Sequence, residues 1–129
     1  MAYGSYLRRH PGAEPLSNIA GTKEITFKDD ALDDPPLSAE DAVSRKIIDP
    51  AELPVALDLL GRVADCLTRF YKSKNLDIGD LKMEVGRTSD KSKSPSIIVI
   101  DDLGFDNTRI FSGGRLLGVE ELHSAMGIR

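Results

Sequence analysis

The chain has 129 residues, a formal net charge of −4, a single cysteine and no tryptophan. A chain of this length is typical of one domain, here residues 1–129, with a hydrophobic core of its own. The negative charge argues against nucleic acid as the main partner, because phosphate binding needs a basic surface, and a lone cysteine excludes a disulfide framework. No apolar run reaches the length of a membrane span and the start lacks an apolar signal segment, so we expect a cytoplasmic protein without membrane association.

The N-terminal part of the chain predicts short elements joined by loops. Residues 1–10 form an amphipathic segment, and residues 10–21, rich in proline and glycine, form a loop. Alternation over residues 23–28 predicts a short strand, and Pro35–Pro36 should exclude regular structure after it. Ser38 has the position of a helix N-cap, and the acidic residues that follow it favour a short helix.

The clearest helix is predicted for residues 50–74, where Asp49 is a suitable N-cap. Its apolar side chains recur at helical spacing: Leu57, Leu60, Ala64, Leu67 and Tyr71. Two strands are predicted next, at residues 80–85 and 97–102, and we expect them to pair antiparallel with the helix on their apolar side. Four consecutive apolar residues open the second strand, a pattern typical of burial on both faces. A weaker helical pattern covers residues 119–127.

One face of the first predicted strand carries Asp80, Lys82 and Glu84, because side chains alternate along a strand. Asp101 and Asp102 end the second strand. Opposed side chains in a ladder have Cβ atoms about 4.5–5.5 Å apart, and carboxylates that close repel unless a cation lies between them. Mg2+ held by one or two carboxylates and by substrate phosphates would fit, with Lys82 near the same phosphates. An ordinary solvated strand face is the alternative, and the pattern leaves it open.

Five segments of the sequence carry a family resemblance: GSYLRRHPG, FKDDALDDPPLS, GDLKMEVG, IIVIDDLGFDNTRIF and SGGR. In this order, from Gly4 to about Arg115, they resemble the SAICAR synthetase family of purine biosynthesis. The resemblance implies an α+β fold, an antiparallel sheet packed with helices, that corresponds to the family's C-terminal, ATP-grasp-related lobe. It also implies an ATP-dependent ligase. In that reaction ATP activates the carboxylate of carboxyaminoimidazole ribotide, and the amine of aspartate then attacks.

The resemblance also implies which residues of this chain form the site. Lys82 would neutralise charge between the ATP phosphates and the ribotide carboxylate, and Asp34 would lie beside the imidazole, so these two are the expected catalytic residues. Lys28 would contact the nucleotide phosphates, while Glu84 and Asp101 would bind Mg2+ and the nucleotide. The expected substrate-binding residues are Ser5, Asp80, Asp106 and Arg109.

The main departure from the family lies at the start, because Met1 comes just before the first matching segment. We therefore expect the family's N-terminal lobe, which carries a glycine-rich phosphate loop, to be absent from this chain. A later arginine of the family has two candidates here, Arg115 and Arg129.

Three functional hypotheses follow from the match and the departure. The first is the C-terminal half of a ligase, completed in trans by an N-terminal lobe or by a homo-oligomer partner, and weakly active or inactive alone. Its partners would be ATP, carboxyaminoimidazole ribotide and aspartate. The second is a non-catalytic nucleotide- or ribotide-binding protein derived from the family. The third is an incomplete gene fragment. A gene neighbour encoding a glycine-rich strand–loop–strand would favour the first.

Overall fold

The structure, a computed structural model, describes residues 1–90, 92 and 97–127, and the side chain of Ser5 lies outside that description. Four helices belong to the described part: α1 (Ser5–Arg9), α2 (Ala39–Ser44), α3 (Glu52–Lys72) and α4 (Val119–Met126). The strands there are β1 (Ile25–Thr26), β2 (Pro36–Leu37), β3 (Asp77–Leu81), β4 (Glu84–Arg87), β5 (Ile97–Ile100), β6 (Thr108–Ser112) and β7 (Arg115–Leu116). Short 3-10 turns cover Asp30–Leu32 and Phe105–Asn107.

Every strand pairing in the described part is antiparallel, so the fold belongs to the predicted α+β class. β1 pairs with β2, β3–β6–β7 form a three-stranded sheet, and β4 pairs with β5. The long helix α3 packs on both β3 and β5, and therefore joins the two larger sheets. Within the described residues, no helix combines the length and the apolar character needed to cross a lipid bilayer.

The core lies where the end of α3 meets the central strand β6 and the helix α4. Its buried members are Tyr71, Leu76, Ile110 and Leu122. Partly buried neighbours complete it: Leu67, Ile78, Phe105, Leu117 and Met126. The predicted apolar stripe of α3 thus supplies two of these contacts, through Leu67 and Tyr71, at the C-terminal end of the helix.

Several predicted elements are confirmed. The helix predicted for 50–74 is α3, with its first turn two residues later than expected and Ala51 in the N-cap position. Ser38 caps α2, since its hydroxyl accepts a hydrogen bond from the Asp41 N–H at 3.0 Å. The predicted pair of strands exists as β4 and β5, and the weak C-terminal helix is α4.

Other predictions about strands are wrong. The strand expected over 80–85 is split into β3 and β4, which belong to different sheets, with Lys82 and Met83 between them. Pro36 does not exclude regular structure, because it is the first residue of the two-residue edge strand β2, a position where a missing N–H is tolerated. The strand β5 is only partly buried, and Ile100 is 42% exposed.

The middle of β3 contains a bulge that changes the register of its pairing with β6. The pairing with β6 shifts between Ile78 and Asp80, so that Asp80 lies opposite Arg109. Gly79 occupies the bulge, and the buried ring of Phe111 lies over its Cα. A Cβ atom at this position would be 2.9 Å from Phe111 Cδ2 and closer still to Cε2, which only glycine avoids.

Candidate functional site

The loop between β1 and β2 presents an aspartate in a fixed position. The Asp34 N–H donates to the Asp29 carbonyl at 3.0 Å, and the Asp29 N–H donates to Asp34 Oδ1 at 2.9 Å. The Asp29 carboxylate in turn accepts from the Ala31 N–H at 3.0 Å. Asp33 and Asp34 both have positive φ angles, 55° and 46°, a conformation that aspartate tolerates better than most residues. This backbone leaves Asp34 Oδ2 free to face the strands.

Two predicted lysines approach this oxygen, and one of them also approaches a fourth predicted residue, Glu84. Lys82 Nζ donates to Asp34 Oδ2 at 2.8 Å, and Lys28 Nζ lies 3.9 Å from the same atom. Lys28 Nζ is also 3.8 Å from Glu84 Oε1. We refer to Lys28, Asp34, Lys82 and Glu84 as the charged cluster. The split between β3 and β4 does not separate Lys82 from Glu84, since both reach the same loop.

The electrostatics of the charged cluster follow from these contacts. The pKa of the Asp34 carboxyl lies below its usual value of 3.8, because the Lys82 ammonium donates to one of its oxygens and the Asp29 N–H donates to the other. Carboxylates raise the pKa of Lys28, Asp30 first and then Asp34 and Glu84. Lys28 is therefore charged at neutral pH. The side chains of Lys28 and Lys82 are about half exposed, so an anionic ligand can reach them.

The expected metal pair is arranged differently from the prediction. The residue directly opposite Glu84 in the ladder is Ile100, whereas the prediction placed an aspartate there. Asp101 follows Ile100 in a left-handed turn with φ of 64°, and its Oδ1 accepts from the Asp102 N–H at 2.9 Å. Within residues 1–90, 92 and 97–127, no group of three or more His, Cys, Asp or Glu side chains is arranged to hold a metal ion.

A second pair of predicted residues lies on the neighbouring sheet. Arg109 Nη1 donates to Asp80 Oδ2 at 2.7 Å across the β3–β6 ladder. Asp80 Oδ1 is buried and has no hydrogen-bond partner among the described residues. The Arg109 guanidinium also lies over the ring of Tyr3, with Cζ 5.9 Å from the ring centroid. The strand ladder thus brings Asp80 and Arg109 together but keeps them outside the charged cluster.

The remaining predicted residues are scattered or lie outside the description. Asp106 is exposed and lies in the 3-10 turn before β6. The loop that carries it is close to the cluster, because the Lys82 N–H donates to the Asn107 carbonyl at 2.8 Å. Arg115 pairs with Glu121 at 2.8 Å, at the start of α4. The side chain of Ser5 and the whole of Arg129 are outside the described residues.

Sequence reasoning missed some contributors to the site. Asp30 is 3.0 Å from Lys28 Nζ and is its nearest acidic neighbour. Tyr3 was noted only as part of an amphipathic segment, although its ring contacts Arg109. The strand β6, which positions Arg109, was missed as well. Thr108, Ile110 and Ser112 alternate with the two residues between them, and this alternation is only a weak signal for a strand.

Comparison with known proteins gives one consistent match. The family model for SAICAR synthetase matches residues 1–122. The phosphoribosylaminoimidazole-succinocarboxamide synthase of Pyrobaculum calidifontis is 35% identical over 114 residues, which are 88% of this chain and 45% of the relative. That of Chloroflexus aurantiacus is 32% identical over 111 residues, 86% of this chain and 43% of the relative.

Solved structures show the same fold. The synthase from Ehrlichia chaffeensis superposes with a TM-score of 0.80 at 20% identity, covering 98% of this chain and 54% of that one. A second structure described as SAICAR synthetase gives a TM-score of 0.77 at 21% identity, covering 98% and 57%. The chain spans about half the length of the curated relatives that it matches.

Proposed function

The chain belongs to the SAICAR synthetase family, and from this premise we propose that it forms one part of an ATP-dependent ligase that condenses carboxyaminoimidazole ribotide with aspartate. One observation carries the proposal. Lys28 and Asp34 come from one segment of the sequence and Lys82 and Glu84 from another, and three ion pairs of 4 Å or less connect them: Lys82–Asp34, Asp34–Lys28 and Lys28–Glu84.

The chemistry of the reaction suits this cluster. ATP transfers its terminal phosphoryl group to the ribotide carboxylate, and the aspartate amine then displaces phosphate to form the succinocarboxamide. Phosphoryl transfer depends mainly on positioning and charge neutralisation, for which lysines are well suited. We assign Lys28 to the nucleotide phosphates and Lys82 to the space between the phosphates and the ribotide carboxylate. Asp34, which accepts a hydrogen bond from Lys82, orients that ammonium and lies beside the imidazole.

The donor types present also fit Mg2+. Glu84 and Asp101 offer the carboxylate oxygens that this ion prefers, and substrate phosphates would complete its coordination. Lys28 Nζ is 3.8 Å from Glu84 Oε1, beyond hydrogen-bond distance, so this oxygen keeps its lone pairs for a metal. Mg2+ would neutralise phosphate charge when bound. In this proposal Asp80, Asp106, Arg109 and Ser5 contact the ribotide.

The other part of the site would come from residues outside 1–129. They could belong to the same polypeptide, to a separate chain that carries an N-terminal lobe, or to a second copy of this chain. The exposure of the charged cluster to solvent supports this proposal. The side chains of Lys28 and Lys82 are about half exposed, and Ile100, opposite Glu84, is 42% exposed. A cytoplasmic location goes with a biosynthetic role of this kind.

One observation favours a second candidate function. The half-exposed lysines show that the cluster is open to water, and water competes for an activated phosphoryl group. A protein with such an open site could bind a nucleotide or a ribotide without turning it over. The alternative is therefore a non-catalytic nucleotide- or ribotide-binding protein.

An activity assay separates the two functions. We expect the 129-residue chain alone to form little or no succinocarboxamide from ATP, aspartate and carboxyaminoimidazole ribotide. Mixed with a separately expressed part of a SAICAR synthetase that supplies the remaining residues, it should become active. Lys82→Met should then lower kcat by about 100-fold or more, as losing a transition-state contact does. The exposed control Asp58→Asn should leave the rate unchanged. Saturable ATP binding without turnover in every mixture would support the non-catalytic alternative instead.

A further inference from the structure

A cavity of about 480 Å³ lies between the end of α1, the strands β1 and β2 and the first half of α3. Ile25, Leu37 and Leu57 contribute to its largely apolar lining. Of the described residues that line it, none belongs to the charged cluster. Cavities of this size bind small organic molecules where a few polar groups converge on an apolar lining. The polar side chains at this cavity therefore indicate which class of ligand it takes.

A lysine at the edge of this cavity is held in place by α3. Lys23 Nζ donates to the Leu57 carbonyl at 2.8 Å, although that carbonyl lies inside the helix. Gly61, about one turn further along α3, leaves room for this contact. A Cβ atom at Gly61 would be 3.0 Å from Lys23 Nζ and 3.6 Å from its Cε, so alanine here would push the ammonium aside. Glycine inside a helix is unfavourable relative to alanine, and in α3 it provides the gap that the lysine occupies.

The only acidic side chain among the described lining residues, Glu24, already has partners. Arg9 Nη2 donates to its Oε2, and His10 Nε2 lies 3.0 Å from its Oε1. Partial burial favours a higher pKa for Glu24, but the contacts with His10 and Arg9 outweigh it and hold the pKa below the usual 4.5. Lysine has three N–H donors, and the Leu57 carbonyl takes one of those on Lys23. Two donors of Lys23 therefore remain for an anionic ligand.

We propose that this cavity binds a small organic monocarboxylate, with the carboxylate on the Lys23 ammonium and the apolar body of the ligand on the apolar lining. The described lining has two basic side chains, Arg9 and Lys23, against one acidic side chain, Glu24, so one formal positive charge is left over when His10 is counted as neutral. A single carboxylate matches that charge. A phosphate monoester carries a charge of about −1.5 to −2 and would exceed it. The site does not depend on the function proposed for the charged cluster.

The experiment is a titration of the 129-residue chain, followed through its backbone amide resonances by NMR. Benzoate is the probe, benzamide has nearly the same shape without the charge, and acetate has the charge without the apolar body. Wild type is compared with Lys23→Met and Gly61→Ala, and Lys23→Gln replaces Lys23→Met should that variant fail to fold. Lys74→Met is the control for the lost charge, since Lys74 lies beyond the other end of α3. Gly12→Ala is the control for the added methyl group, because the space around Gly12 is open.

We expect wild type to bind benzoate more tightly than benzamide or acetate, with the largest amide shifts in β1 and around Leu57. Lys23→Met and Gly61→Ala should each weaken benzoate binding by about tenfold, equivalent to about 1.4 kcal/mol, and leave benzamide binding unchanged. Gly61→Ala is the sharper test, because it keeps every charge and favours the helix.

Four results would overturn the proposal. They are absence of saturable benzoate binding, equal affinity of wild type for benzoate and benzamide, unchanged benzoate affinity in Gly61→Ala, and amide shifts centred on the charged cluster instead of β1. A loss in Lys74→Met or Gly12→Ala as large as in the cavity variants would overturn it as well.

Discussion

Gly79 shows how one missing side chain shapes the site. It forms the bulge that places Asp80 opposite Arg109, and the Phe111 ring fills the space where a Cβ atom would be. Gly79→Ala should therefore lower the free energy of unfolding by about 1–3 kcal/mol, the usual cost of overpacking a core. Chemical denaturation monitored by circular dichroism measures this change.

Gly12→Ala is the matched control for that substitution. No atom lies within 4 Å of a Cβ atom built on Gly12, and the residue lies in the exposed loop after α1. Its unfolding free energy should change by no more than about 0.5 kcal/mol, as is typical of surface positions. Equal stability of Gly79→Ala and Gly12→Ala would show that the Phe111 ring moves aside, and would contradict the tight packing described for β3.

At the level of single residues, the sequence was informative about chemical type and less so about pairing. The charged cluster could be predicted because family motifs carry its residues at recognisable positions. That Ile100 faces Glu84 could not be predicted, because the register of a two-stranded ladder depends on the loop between its strands. Tyr3 was missed for a similar reason, since its contact with Arg109 spans most of the chain.

An ion pair between Glu52 and Arg87 links α3 to β4. Arg87 donates to both oxygens of Glu52, through Nε at 2.8 Å and Nη2 at 2.7 Å, and the Asp49 N–H donates to Glu52 at 3.0 Å. These contacts, Arg87 first, hold the pKa of Glu52 below its usual value of 4.5. Because the folded state lowers this pKa, the stabilisation is present above pH 4.5 and is lost as the pH falls through the folded-state pKa.

Glu52→Gln should consequently lower the denaturation midpoint at pH 7, and its difference from wild type should shrink below pH 4.5. The physical reason is that protonated Glu52 and glutamine both lack the charge that Arg87 pairs with. Asp58→Asn is the control, because Asp58 and Arg62 are 3.8 Å apart and both are largely exposed on α3. A difference between Glu52→Gln and wild type that does not vary with pH would contradict the ionic role of Glu52.

At the level of elements, helices were predicted better than strands. The 3.6-residue periodicity of α3 is long and its boundaries were wrong by only about one turn at most. The strand alternation of residues 80–85 continues across Lys82 and Met83, so nothing local marks the change from β3 to β4. β6 was missed because the sequence around it is rich in turn-forming residues. Its strand conformation depends on pairing with β3 and β7, which the local sequence does not reveal.

On the scale of the molecule, the face that carries the charged cluster is only partly covered by the described residues. Leu32 at the tip of the loop beside the charged cluster is 66% exposed, and Ile100, opposite Glu84, is also exposed. Contiguous exposed apolar surface often marks an interface. We expect the 129-residue chain to self-associate through this face or to bind the polypeptide that completes the site.

Sedimentation velocity over a range of concentrations tests this expectation. Wild type should show a concentration-dependent increase in sedimentation coefficient, and Ile100→Gln should reduce it. Val119→Gln is the control, since Val119 is also exposed but lies on α4. A clean monomer at high concentration that also fails to bind the complementing polypeptide would contradict an interface here.

The central claim is that the charged cluster binds the phosphates of a nucleotide together with Mg2+. Only the folded molecule assembles it, because Lys28 and Asp34 come from the β1–β2 loop, while Lys82 lies in the break between β3 and β4 and Glu84 is the first residue of β4. The most direct test is a calorimetric titration of ATP, with and without Mg2+, into wild type and Glu84→Gln. It is carried out with the complementing polypeptide present, and Asp58→Asn serves as the control.

Glu84→Gln keeps the shape of the side chain and removes one carboxylate charge. We expect Mg2+ to strengthen ATP binding by wild type and by Asp58→Asn, and Glu84→Gln to lose about tenfold or more in Mg2+-dependent affinity, equivalent to about 1.4 kcal/mol. Equal Mg2+-dependent affinity in wild type and Glu84→Gln would contradict the metal–phosphate site, and with it the enzymatic function proposed for this chain.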